Sequence, residues 1–208
     1  TASTGYPLAT ARQPCRLESR DINKQNYEVN QNPVSSILTW VQDGEIAIPE
    51  IQRPFVWDRT KVRDLLDSLY RGYPVGYLIS WRNPDVRLKD GSNASGKRVL
   101  IDGQQRVTAL RAALIGDEVI GEDYRKRRIK IGFHPVDEIF EVNNPAIDKD
   151  SSWIPDIAGI VGASGDIFQA VENYLTANPS AERSVVQTSL LALSNIAQRP
   201  IGMIELGA

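Results

Sequence analysis

From Val99 to Leu110 the chain reads VLIDGQQRVTAL, and no other stretch constrains the fold as tightly. RVLID has the aliphatic, β-branched character of a short strand. From Gln104 onward the apolar residues fall at Val107, Leu110 and Leu114, the spacing of one helical face, and Gly116 follows as a stop. Only Asp102 and Gly103 separate the two patterns. The sequence therefore predicts strands and helices that interleave, a mixed α/β arrangement.

The rest of the first half keeps that alternation. NPVSSILTWVQDG predicts a helix with Asn32 as cap, Pro33 in the first helical position, Val34, Ile37, Leu38 and Val41 on one face, and Gly44 at the end. EIAIPEIQRPF predicts a short strand through Ile46, Ile48 and Ile51, interrupted by Pro49. WDRTKVRDLLDSLYRG predicts a helix capped by Asp58, with Val62, Leu65, Leu66 and Leu69 inward and Gly72 as its stop. YPVGYLISW predicts a strand from Val75 to Trp81, apolar enough to be covered on both faces. NPDVRLKDGSNASGK is turn-rich and predicts a loop. In the second half, RRIKIGFHP and EIFEVN predict a hairpin, and SSWIPDIAGIVG a turn or short helix. DIFQAVENYLTAN and PSAERSVVQTSLLALSNIAQ predict two helices hinged at Asn178–Pro179, and PIGMIEL a closing strand. Residues 1–30 are polar, weakly patterned and read as a loosely held arm.

Composition narrows the chemistry. The net charge is −2, so there is no global basic field for nucleic acid and any anion site must be local. The densest basic run, RKRRIK from Arg125 to Lys130, is either a solvated strand entrance or a phosphate-contacting patch. Cys15 is the single cysteine, which rules out an intrachain disulfide and fits a reducing, cytoplasmic setting. One cysteine and one histidine cannot build a Cys/His zinc cluster, and His134 reads as structural or surface. No apolar stretch approaches the ~20 residues that span a bilayer. The start TASTGYPLATARQP lacks the pattern of a secretory signal, and the whole reads as a piece of a longer polypeptide.

Asp102-Gly103-Gln104-Gln105-Arg106 concentrates groups suited to an anion. A strand-to-helix turn leaves the first helical amides without intrahelical acceptors, and the helix dipole favours negative charge there. Gly103 permits close approach of a ligand, and Arg106 offers a fork of donors matched to phosphate or carboxylate. Gln104 and Gln105 suit a phosphate, a sugar hydroxyl or a base edge. Asp102 suits a hydroxyl, a metal ion, or the orientation of Arg106 or a water. On spacing alone an ordinary Asp-Gly turn accounts for these residues equally well. The glycines match neither a phosphate loop nor a dinucleotide fingerprint. In IPEIQRPFVWD, Gln52 and Arg53 stand beside Phe55 and Trp57, a grouping that can grip a nucleobase and its phosphate or simply plug the core.

Taken together, Ile48, Pro49, Gln52, Arg53 and Trp57, then Pro74 and Gly76, then Asp102 to Arg106, resemble the hallmarks of one family in the same order. It is the N-terminal domain family of the GmrSD-type modification-dependent restriction enzymes. The similarity runs roughly from Asn32 to Leu206.

The resemblance implies an α+β fold of the ParB/sulfiredoxin-like kind, a mixed sheet with flanking helices and a helical C-terminal extension. Its parts would be an arm over 1–30, a core carrying the DGQQR motif over 31–142, and an extension with a closing strand over 143–208. In that superfamily a Gly-x-x-Arg segment between strand and helix holds nucleotide phosphates, and Gly103 to Arg106 occupy that place. The resemblance thus implies a domain that binds a nucleoside triphosphate, hydrolyses it, and controls a downstream nuclease domain. Some relatives sense modified DNA. Asp102, Gln104, Gln105 and Arg106 would be catalytic, with Asp102 a ligand to Mg²⁺. Gln52, Arg53, Trp57, Gly103, Arg106 and Thr108 would bind the nucleotide. Family members continue past IEL into a helix with a Phe-x-Arg-x-Asn motif. This chain stops at Ala208, so cleavage of DNA is not expected of it alone. A sensor of modified DNA without hydrolysis, and a docking module whose motif polars satisfy one another, are the alternatives.

Overall fold

A computed structural model describes residues 25–48, 54–82, 97–162 and 166–207. In chain order the elements are β1 (Tyr27–Pro33), α1 (Val34–Gln42), β2 (Ile46–Ala47), α2 (Arg59–Tyr70), β3 (Tyr77–Arg82), β4 (Arg98–Asp102) and α3 (Gln104–Leu110), which runs into a π-helical turn at Arg111–Ile115. Then come β5 (Glu118–Ile120), β6 (Lys126–Arg128), β7 (Ile131–His134), β8 (Ile139–Val142), α4 (Ala158–Val161), α5 (Ile167–Ala177), α6 (Arg183–Ser194) and β9 (Pro200–Leu206). Cys15, Pro49, Ile51, Gln52, Arg53 and the loop over 83–96 lie outside the described residues.

Five strands form one mixed sheet in the order β1-β9-β3-β4-β2. β9 runs parallel to β3, and β2 parallel to β4; the other two pairings are antiparallel. β5–β6 and β7–β8 are separate hairpins. The architecture is α+β, and one continuous apolar core reaches from Val34 to Met203. β9, counted in sequence with the extension over 143–208, lies between β1 and β3 inside the main sheet.

The helices follow their periodicity. Val34, Ile37, Leu38 and Val41 of α1 are buried, as are Val62, Leu65, Leu66 and Leu69 of α2. Asp58 caps α2, its Oδ1 accepting from the Lys61 amide at 2.7 Å. Three expectations shift. Asn32 and Pro33 belong to β1, paired with Ile201 and Pro200, so α1 begins at Val34 with no side-chain cap. Tyr27 to Asn30, read as arm, form the rest of that strand. β3 begins at Tyr77 rather than Val75, because Gly76 sits at φ +85° and breaks the extended backbone. Its two faces are covered unequally: Leu78 and Ser80 are fully buried, Ile79 and Trp81 half-buried, and Tyr77 is 55% exposed. The Tyr77 ring lies across Gly202, where a Cβ would come within 2.6 Å of it.

The π-helical turn is held by an arginine from the next hairpin. Arg128 donates to the Ala112 carbonyl, to the Ile129 carbonyl at 3.0 Å and to Asp156 at 3.0 Å. Leu114 still reaches the core, and Gly116 closes the turn at φ +95°.

Candidate functional site

β4 brings the motif to the sheet end next to β3. The register between these strands slips at Ile79/Ser80, a bulge that leaves Ile101 and Asp102 both exposed in place of the usual alternation. Gly103 then adopts φ +91°, and a Cβ there would meet Leu78 Cδ2 at 2.3 Å. The chain thus turns from strand to helix against a fully buried leucine, which only glycine allows. The Val107 amide donates back to the Gly103 carbonyl at 3.0 Å, and no side chain caps α3.

Arg106 crosses to β3. Its Nη1 donates to the Tyr77 carbonyl at 2.9 Å, and its guanidinium lies 3.2 Å from where a Gly76 Cβ would be. The Pro74-x-Gly76 hallmark and the motif arginine therefore meet, and Gly76 is small because Arg106 passes over it. Among the described residues no salt bridge joins Asp102 to Arg106, and none holds Asp102.

The two glutamines turn to main chain. Gln104 Nε2 donates to the Leu100 carbonyl at 2.9 Å. Gln105 uses both ends of its amide on one segment: Oε1 accepts from the Val56 amide at 3.0 Å, and Nε2 donates to the Pro54 carbonyl at 3.3 Å. The same segment is held from its other side, where the Phe55 amide donates to the Ile120 carbonyl at 2.9 Å. Phe55 is buried in the core, and Trp57 is half-buried against it with Lys61 Nζ 4.7 Å from the ring centroid. Thr108 stands apart from the turn. It lines a cleft of about 470 Å³ between α3 and the β5–β6 hairpin, together with Arg111, Asp117 and Lys126.

A single carboxylate at the turn suits Mg²⁺, which is commonly held by one or two protein carboxylates with phosphates and water completing its shell. Among the described residues no group of three or more His, Cys, Asp or Glu side chains is placed to hold a metal.

The sequence profile of the GmrSD restriction endonuclease N-terminal domain matches residues 34–193. The chain belongs to this family. The match takes in the turn, Pro74-x-Gly76 and both hairpins. An uncharacterised protein of Methanocaldococcus jannaschii is 34% identical over 82 residues, which cover 33% of this chain and 14% of that protein. The chain thus spans a small part of this relative's length.

The basic run faces acids of its own hairpin. Arg127 bonds Asp123 at 2.6 Å, Arg125 approaches Asp123 at 3.9 Å, and Lys126 approaches Glu118 at 4.0 Å. Lys126–Arg128 of the run form β6, Ile129 and Lys130 lead into β7, and the partner strand β5 was not visible in sequence. His134 is structural: its Nδ1 accepts from the Asp137 amide at 3.1 Å and its ring meets Trp153 edge-on. No helix among the described residues is long and apolar enough to cross a membrane.

Proposed function

We propose that this domain binds a nucleoside triphosphate, hydrolyses it, and regulates the nuclease domain of a modification-dependent restriction or phage-defence protein. The observation that carries the reading is the convergence of exposed Asp102, left-handed Gly103 and Arg106 at one strand-to-helix turn. By the resemblance carried by the sequence, that turn would correspond to the Gly-x-x-Arg phosphate segment of ParB/sulfiredoxin-like proteins. Arg106 uses one donor on Tyr77 and carries a fork with others for phosphate. Asp102 is the carboxylate that would meet Mg²⁺, which when bound offsets phosphate charge. Gln104 keeps its side-chain oxygen for a water or a phosphate hydroxyl.

Two observations weigh against the alternatives. Four of the run's five cations face acids, two of them only at 3.9 and 4.0 Å, which counts mildly against a DNA sensor that relies on it. Arg106 turns to a carbonyl and not to Asp102, which weighs against a turn closed by an Asp102–Arg106 pair, as a docking module would have.

Calorimetric titration with ATP, GTP and CTP plus Mg²⁺ tests the reading, on a chain extended past residue 208. Binding of at least one nucleotide, lost in a folded Arg106→Ala variant, is the expected result. No heat with any of the three sinks it. Mobility shifts with modified and plain duplexes test the sensor: equal or absent binding argues against it.

A further inference from the structure

We propose that Gln105 is a positioning residue, a clamp that fixes residues 54–56 against the motif turn, and not a group that touches phosphate or water. The geometry is specific. One amide holds the N–H of Val56 and the C=O of Pro54, two groups that only a donor–acceptor pair in one plane can satisfy together. These bonds join the end of the IPEIQRPFVW hallmark to the DGQQR motif across 49 and 51 residues of sequence. With Oε1 and Nε2 both engaged, little of the side chain is left for a ligand. Without the clamp the segment keeps the Phe55–Ile120 bond and the buried Phe55 ring, so it stays attached but loses its tie to α3. That the clamp serves ligand binding rests on the nucleotide reading above.

The same chain extended past residue 208 is compared with its Gln105→Met variant, which keeps length and helix propensity but has no polar pair, and with Gln105→Glu. An ionised glutamate still accepts from Val56 but has no donor for Pro54; the protonated acid has both. Two readouts are taken between pH 4.5 and 8: backbone amide protection of Phe55 and Val56 without nucleotide, and affinity for ATP–Mg²⁺ and GTP–Mg²⁺ relative to wild type. In Gln105→Met, Val56 protection should fall about fivefold, as loss of a bond worth about 1 kcal/mol predicts, while Phe55 changes little. Nucleotide affinity should fall by a similar factor. Gln105→Glu should keep Val56 protection at pH 8 but lose nucleotide affinity there, and regain affinity relative to wild type as pH falls toward 4.5. Unchanged Val56 protection in Gln105→Met overturns the clamp. Lost protection with unchanged affinity overturns its role in binding. A wild-type chain that binds neither nucleotide overturns the nucleotide reading and the coupling with it, and the exchange data then judge the clamp alone.

Discussion

The basic run and the motif turn treat their cations in opposite ways. Residues 125–130 carry five cations, and the turn carries one. In the run, three carboxylates face four of the five: Asp123 serves Arg125 and Arg127, Glu118 faces Lys126, and Asp156, beyond the second hairpin, holds Arg128, while among the described residues no acid pairs with Lys130. At the turn, Arg106 donates to a neutral carbonyl, and no acid among the described residues pairs with it. Charge density along a sequence therefore does not measure the charge a ligand would meet. What counts is whether an acid lies within reach once strands pair, and among the described residues one does for four of the run's five cations and none does for the cation of the turn.

Substitutions sharpen this contrast, and the largest effect belongs to the turn's backbone. Gly103→Ala forces a side chain into a left-handed conformation and against Leu78, and should cost about 2–4 kcal/mol in urea unfolding. Arg128→Ala strands the Ala112 carbonyl and Asp156, and should cost about 1–3 kcal/mol by the same measurement. Arg106→Ala should cost less than about 1 kcal/mol while weakening nucleotide binding at least about tenfold. Arg125→Ala, at a side chain 83% exposed, should move stability by no more than about 0.5 kcal/mol. If Arg125→Ala impaired ligand binding as much as Arg106→Ala, the contrast would be reversed.

The smallest predicted effect is a pH effect remote from both regions. Arg183 on α6 donates to Glu172 on α5, with one contact at 3.0 Å, and holds its carboxyl below the ordinary range. A carboxyl lowered on folding stabilises the protein above its unfolded pKa, and that contribution disappears as pH falls through the folded value. Glu172→Gln should therefore lower the melting temperature slightly near neutrality and match wild type in acid, as paired thermal melts over pH 2–7 would show.

Much of the fold was legible because helices announce themselves locally. The apolar faces of α1 and α2 and the hinge at Asn178–Pro179 follow from spacing and caps. β1 was not legible: YEVNQNP is an edge strand with exposed side chains, and its partner residues lie at Pro200 to Leu206. β5 is three residues long, too short to show a period. At the site, the turn and the need for Gly103 were readable from the strand-to-helix switch. The destinations of Gln104, Gln105 and Arg106 were not, because all three bond to main chain, which carries no residue signature. Thr108 shows the limit of motif adjacency: two residues beyond Arg106, it faces a different cleft.

The place of β9 has a consequence for biosynthesis. Tyr27 pairs with Leu206 and Pro33 with Pro200, so β1 leaves the ribosome long before the strand that flanks it, and β3 lacks its parallel neighbour until then. Such distant pairings fold slowly, since loop closure precedes any reward from contact. The helices and hairpins between them can form while the chain is still being made. The sheet that carries the motif turn is completed only when its last-made strand slides between two that have been waiting, which makes its edges the parts most in need of shelter during synthesis.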